Sequence, residues 1–252
     1  MDLRVISFNI RCCDDPDGNS IAERAVRLSE VTSRYAADII CFQEQRPAWE
    51  PFLERYYAKE YDFFNKYRSD KEDVESSPIF WRKDKFVCIK TGYFWLSDTP
   101  NVQSRGWDER YNCFRMCVFA VLGSKAENKR FVVMNTHFGF GDGGQVKSAH
   151  LVAERASEFE DLPLFIAGDF NMQPDTVGYA AMTSHFKDVN AVTAKDWRDT
   201  YHGYIPQTVK NEHIDYVFVN GRVKPLTQKI MDDTVNGKFP SDHFGLYSEL
   251  KI

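Results

Sequence analysis

The sequence predicts an α/β protein, a sandwich of mixed β-sheets with helices on the outside. Nine short apolar runs bounded by polar or turn residues read as buried strands, and three segments carry apolar residues at helical spacing. Their order begins β-α-β-α, becomes a run of strands and ends β-α-β; a wholly parallel fold does not lose its helices mid-chain. The near-continuous apolarity of the runs predicts sheets covered on both faces. With 252 residues, 43% of them hydrophobic, the chain is long enough for one large core. No repeat, low-complexity stretch or Pro/Gly/Ser-rich linker divides it, so residues 1–252 are read as a single domain.

In chain order, the first run spans 3–9 and ends in Ser7-Phe8-Asn9. A helix follows over 20–35, opened by the capping box Ser20-x-x-Glu23 and repeating Ile21, Ala25, Leu28, Val31/Thr32 and Tyr35. The run 38–43 ends in Gln43-Glu44, and a second helix over 47–57 places Pro47 in its first turn. The loop 65–76 holds Lys66, Arg68, Asp70, Lys71, Glu72 and Asp73, and reads either as a solvated loop or as a substrate-contacting rim. Four runs follow, 78–82, 86–94, 114–122 and 130–137, the last ending in Asn135-Thr136-His137. A third helix over 144–159 presents Val146, Ala149, Val152/Ala153, Ala156 and Phe159 on one face. The run 162–168 leads into Gly168-Asp169-Phe170-Asn171, with Gly168 expected to permit a sharp turn. Runs at 214–219 and 243–250 follow His213-Ile214-Asp215 and Ser241-Asp242-His243.

The net charge of −5 argues against tight, nonspecific duplex binding, which draws much of its affinity from neutralised phosphates. No signal peptide or membrane-length apolar run is evident. The six cysteines form no CxxC; they read as reduced, without a zinc site, in a cytoplasmic and monomeric protein.

The six polar words at run ends hold nearly every residue able to bind a hard cation, move a proton or hold a phosphate. Phosphoesters resist attack because the phosphoryl group is anionic, and a divalent cation neutralises that charge. Glu44 is the first choice of metal ligand, with Asp242 and Asn9 as further candidates. Asp169 and Asn171, two apart, face one side in extended geometry and together suit holding water and a phosphoryl oxygen; an Asp-x-Asn turn cap is the alternative. His137 and His243 each sit beside an apolar run and suit phosphate contact, given an orienting carboxylate. His150, His185, His202 and His213 read as structural, although His202 is placed to line a cleft.

Taken together and in order from Ser7 to His243, these words resemble the endonuclease/exonuclease/phosphatase superfamily. Phe94 to Pro100, Gly106-Trp107-Asp108 and Thr200-Tyr201-His202 are similar to a bacterial branch of metal-dependent hydrolases. The resemblance implies a four-layer sandwich, two mixed sheets packed face to face with helices outside. It implies that Glu44 binds Mg²⁺ or Mn²⁺ with Asn9 close by and Asp242 completing the cluster. It implies that Asp169 orients or deprotonates the attacking water and that Asn171 holds the phosphoryl oxygens. His243, paired with Asp215, would contact the scissile phosphate. His137 would be a second phosphate-contacting histidine, with Glu75 as its orienting partner, and Arg115 matches a family arginine facing the cleft. Trp107 and Asp108 are either a substrate wall or a structural corner.

Two positions depart from that branch. Thr-His-Phe-Asp-His is here Thr136-His137-Phe138-Gly139-Phe140, and a helix-start arginine is replaced by Gln145. The reading is a metal-dependent phosphoesterase acting on a small molecule or single-stranded nucleic acid. The alternatives are a nuclease with a basic rim of Lys66, Arg68, Arg105, Arg110 and Lys147, and a noncatalytic binding module on the same scaffold.

Overall fold

The computed structural model describes residues 1–71, 74–206 and 212–252. The chain forms, in order, β1 (Asp2–Asn9), α1 (Ile21–Tyr35), β2 (Ile39–Gln43), α2 (Glu50–Tyr57), β3 (Tyr61–Phe64), β4 (Ile79–Arg82), β5 (Phe86–Trp95) and β6 (Met116–Ser124). It continues through β7 (Arg130–His137), α3 (Asp142–Ser157), β8 (Leu164–Asp169), α4 (Val177–Thr183), β9 (Lys187–Asp188), α5 (Val189–Val192), β10 (Asp215–Val219), β11 (Lys224–Met231) and β12 (Gly245–Lys251).

The strands make two six-stranded sheets, ordered β11-β12-β1-β2-β4-β3 and β5-β6-β7-β8-β10-β9. Among the described residues, only β1–β2 and β7–β8 are parallel neighbours, so both sheets are mixed. Three apolar clusters fill the spaces between four layers. The central cluster joins Val5, Ile39 and Leu246 of one sheet to Val133, Phe165 and Val217 of the other. A second sets Leu28, Val31 and Leu53 of α1 and α2 against Ile6, Phe8 and Phe42. The third sets Ala149, Val152 and Met182 of α3 and α4 against Met134, Ile166 and Phe218. Alternate residues of each inner strand therefore face two different cores, which is why those strands read as unbroken apolar runs.

The predicted capping box of α1 is present, with the Ser20 side chain on the Glu23 N–H and the Glu23 side chain returning to the Ser20 N–H. The elements missed from sequence are short or lie at sheet margins: α4, α5, β3, β9 and β11. In β3 and β11, buried and exposed positions are mixed, leaving no apolar run to read. β5 was expected to be buried, but it is an edge strand, and Val87, Ile89 and Tyr93 are exposed. Gly168 makes no turn. It lies within β8 opposite Thr136, where a Cβ would come within 2.4 Å of the Thr136 carbonyl oxygen. The charged loop 65–76 is not uniformly solvated, since Arg68 and Ser69 are buried; Glu72 and Asp73 lie outside the described residues. Among the described residues, no helix is long and apolar enough to cross a membrane.

One polar connection crosses the sandwich beneath its functional edge. Asn135 Nδ2 on β7 donates to the carbonyls of Phe42 (2.8 Å) and Pro78 (2.9 Å), while its Oδ1 accepts from Gln43 Nε2 (2.8 Å). Replacing Asn135 with Leu removes three buried hydrogen bonds, each worth about 0.5–1.5 kcal/mol, although Pro78 keeps the Phe42 N–H and Gln43 keeps Ser7 and Cys41. The variant is expected to unfold at a lower urea midpoint by roughly 2–4 kcal/mol, with an unchanged m-value. An unshifted midpoint would contradict this account of the sheet-to-sheet contact.

Candidate active site

Strand register assembles the site. His137 on β7 is the partner of Asp169 on β8, and Asp169 is the partner of Asp215 on β10. Register partners on adjacent strands project to the same face, so the three side chains form a row. The row sits above Ala167 and Val217, at the edge of the apolar layer between the sheets. Asn9 ends β1 in the opposite sheet and faces it: its Nδ2 donates to Asp169 Oδ2 at 2.9 Å and to Glu44 Oε1 at 3.0 Å.

Glu44 follows β2 in a left-handed conformation, φ +62°. Its Oε2 accepts the Cys12 N–H at 2.9 Å. Burial pushes its carboxyl pKa up, but the hydrogen bond from Asn9, the nearby His243 charge and the Cys12 N–H outweigh it, and the net shift is downward. Asp169 shifts the other way. Burial and the Asp215 charge push it up to about 7, against the opposing effects of His243 and Asn9. Its Oδ1 accepts the Asn171 N–H at 3.0 Å. The alternative reading, an Asp-x-Asn cap, is therefore the one that forms, and Asn171 adopts a left-handed φ of +50° rather than the extended geometry expected.

The two histidines have opposite electrostatics. His243 Nδ1 lies 2.9 Å from Asp215 Oδ2. Burial opposes its charge, but Asp215 more than compensates and pushes its pKa up to about 10, so its Nε2, 3.9 Å from Asp169, carries a proton. His137 is neutral, because burial and the charges of Arg115 and Arg68 hold its pKa well below the usual value. Arg68 Nη2, a charged donor, lies 3.1 Å from His137 Nδ1; this charge-assisted bond outweighs one from the neutral Asn171 amide facing the other ring nitrogen and leaves the His137 proton on Nε2. That N–H lies 3.0 Å from Asn171 Nδ2, which is itself held on the Phe138 carbonyl. Two donors thus converge where an anionic oxygen satisfies both.

Glu44, Asp169, Asn171, His137 and His243 line a cleft of about 640 Å³ that also contains Arg11, Arg46, Arg68, Arg110 and Arg115, while Asn9 and Asp215 lie buried beneath it. Ligand atoms of Glu44, His137 and Asp169 lie within 4.8 Å of one another, as do those of Asp169, Asp215 and His243. Among the described residues, Asp242 joins neither group; it lines the cleft beside Arg11, 3.7 Å away, and accepts from Ser241. Asn9 is not arranged as a metal ligand, because its Oδ1 accepts the Arg11 N–H and turns its NH₂ toward the carboxylates.

Four further expectations need correction. Glu75 does not pair with His137: it binds Arg68 (3.0 Å) and Arg46 (3.2 Å), and reaches the histidine only through Arg68. His202 lies behind the cleft, packed against Phe239 and Phe244. Asp108 and Trp107 form a structural corner. The Asp108 side chain is fully buried, accepting the Arg110 and Tyr111 N–H groups and holding Arg115, and Trp107 Nε1 donates to Asp98. Of the proposed basic rim, Arg68 and Arg110 reach the cleft, whereas Lys66, Arg105 and Lys147 lie over the rings of Tyr93, Phe114 and Trp107.

Sequence reasoning missed Arg11, Arg46, Tyr111, Tyr201 and Glu212 as cleft residues. Glu212 directly precedes His213-Ile214-Asp215, and Arg11 and Arg46 each lie two residues past a polar word, a signal that was available. Tyr111 lies in an irregular loop with no comparable mark.

Residues 6–243 match the model of the endonuclease/exonuclease/phosphatase family, and the chain belongs to that family. A family member of known structure from Bacteroides thetaiotaomicron superposes with a TM-score of 0.90 at 29% identity, covering 99% of this chain and 97% of that one. The mannosyl-6-phosphatase of Bacteroides thetaiotaomicron superposes at 0.89 with 28% identity, covering 99% of this chain and 100% of that one. The Ccr4 3'-5'-exoribonuclease subunit of Kluyveromyces lactis is 24% identical over 91% of this chain; the match spans only 37% of that protein.

The Asp215–His243 pair predicts a pH dependence. A histidine pKa raised from 6.5 to about 10 stabilises the fold fully below 6.5, and that contribution is lost as pH rises toward 10. Metal-free wild type should therefore lose stability across this window, and Asp215→Asn should show a flatter profile, measured by urea unfolding across the same range. Parallel profiles would contradict the pairing.

Proposed function

We propose that this protein is a Mg²⁺- or Mn²⁺-dependent phosphoesterase that hydrolyses a phosphomonoester of a small molecule by attack of water on phosphorus. The observation that carries the reading is the convergence of Asp169 with Glu44, charged His243 and the His137–Asn171 donor pair. The donor set suits a hard cation, since Glu44 and Asp169 offer carboxylate oxygens beside a cleft open to waters and phosphate. His137 is near enough to be a ligand, but its Nε2 carries a proton, which leaves the carboxylates, with Glu44 foremost. A bound Mg²⁺ supplies charge neutralisation at the phosphoryl group and acidifies water.

The side chains then divide the work. Asp169, placed between Asn9 and the Asn171 N–H with its carboxyl raised by burial and Asp215, is the group that accepts a proton from the attacking water. Asn171 Nδ2 and His137 Nε2–H donate to phosphoryl oxygens as charge builds on them. His243, kept charged by Asp215, faces the same oxygens as a cation. The cleft arginines complement a dianionic ester. Support for a monoester comes from the phosphatase among the similar structures. The nuclease reading has the exoribonuclease relative in its favour, but three of its five expected rim cations sit on aromatic faces away from the cleft.

Turnover of a panel of sugar and nucleoside monophosphates, aryl phosphodiesters and single-stranded oligonucleotides, with Mg²⁺ or EDTA, tests the reading. Monoester hydrolysis is expected only with metal. Asp169→Ala should lower kcat by about 10²–10⁴-fold, the usual contribution of a general base. Turnover undiminished in EDTA, or an Asp169→Ala enzyme of wild-type rate, would overturn it; preferential cleavage of oligonucleotides would favour the nuclease.

A further inference from the structure

Gln145 is buried behind the cleft rather than lining it. It lies in the first turn of α3, its N–H on the Gly141 carbonyl. Its Nε2 donates to the carbonyls of Asn171 (2.6 Å) and Gly139 (3.1 Å). Those carbonyls belong to the two turns that leave parallel strands β8 and β7, and those strands deliver Asn171 and His137.

Each turn resists relaxation by a separate constraint. Asn171, left-handed, is held by its N–H on Asp169 Oδ1 and its Nδ2 on the Phe138 carbonyl, both at 3.0 Å. Gly139 packs so closely on the buried Asp108 corner that a Cβ would lie 2.8 Å from both Cα and Cβ of Asp108. The other side of Gln145 is confined as well, since a Cβ on Gly178 would come within 2.8 Å of Gln145 Cβ. A side chain fixed against α4, with both amide protons on two strand-end carbonyls, sets the spacing between those strand ends.

We infer that Gln145 is a positioning residue, which holds the Asn171 turn against the His137 turn and so aims the Asn171–His137 donor pair at the phosphoryl oxygens. The inference rests on the phosphoesterase reading for its catalytic consequence, but not for its geometry. It also gives the two departures from the bacterial pattern one physical role. Gly139 lets its turn approach Asp108, and Gln145 ties that turn to the next, so both act on site geometry without touching substrate.

The test is Gln145→Met, which keeps the length and removes both protons. Misplacing a transition-state donor by about 1 Å costs on the order of 10²-fold in rate, so kcat should fall by roughly 10–100-fold while KM changes by less than about 3-fold. Gln145→Arg, which returns donors, should recover much of the loss. In an Asn171→Ala background, Gln145→Met should change kcat by less than about 2-fold, because coupled residues are non-additive. Full additivity with Asn171→Ala, or wild-type kcat in Gln145→Met, would overturn the inference. A second readout needs no turnover: by NMR, the Asn171 backbone amide should exchange with solvent at least about ten times faster in Gln145→Met, while those of Asn9 and Asn135 keep their rates. Unchanged Asn171 exchange refutes the positioning role, whereas an inactive wild type with altered exchange refutes only the phosphoesterase reading.

Discussion

The site depends on a hydrogen-bonded tie between two sheets. Asn9 ends β1, Asp169 ends β8, and the strands belong to opposite faces of the sandwich. The Asn9 amide gives one proton to Asp169 and one to Glu44, while the Arg11 N–H holds its oxygen and fixes its orientation. Two carboxylates that would otherwise repel are thereby drawn to one donor. Their environments then push their proton affinities apart, Glu44 downward and Asp169 upward. Such separation, created by unequal burial and hydrogen bonding, lets neighbouring acids take different roles.

The surroundings compensate for charge at this edge. His243 answers Asp215, Arg115 answers Asp108, and Arg68 spans Glu75 and His137. Buried charges in so dense an array are tolerable because each is paired or hydrogen-bonded. The backbone is strained at the same place. Arg11, Glu44 and Asn171 are all left-handed, with φ between +50° and +62°, and all flank strand ends at the cleft. Strain held in position by surrounding structure is a common property of functional sites, and here it turns each chain away just after its functional side chain is delivered.

Much of the fold was legible because inner strands must be apolar on both faces, so that the runs ending in Asn9, Gln43, His137 and Gly168 could be seen without a template, the last extending one residue further to Asp169. The margins were less legible. β3 and β11 face solvent along one side, and β5 exposes Val87 and Ile89 where a buried strand was expected. In the site, Glu44, Asp169, Asn171, His137 and His243 were legible as polar residues at the ends of apolar runs, and all line one cleft. Glu212 adjoins such a word and Arg46 lies two residues past one; both were passed over, because an arginine or glutamate near a strand end is ordinarily a surface residue. Trp107 and Asp108 were readable as wall or corner, and only packing separates those possibilities.

By itself, the sequence determined which polar residues lie at or near the ends of the strands; inter-strand register, not the period of one strand, then set His137, Asp169 and Asp215 in a row. The sequence also determined the capping of α1 and the family resemblance carried by six words in order. Tertiary structure alone decided the partners. That Glu75 meets Arg68 rather than His137, that Asn9 bridges carboxylates, that His202 is enclosed by phenylalanines and that Gln145 fastens two turns all follow from distances between segments far apart in the chain. Hydrogen bonds and charge pairs act over a few ångströms and in particular directions. Their outcome is set by the packing of one sheet on the other, which no local pattern of residues contains.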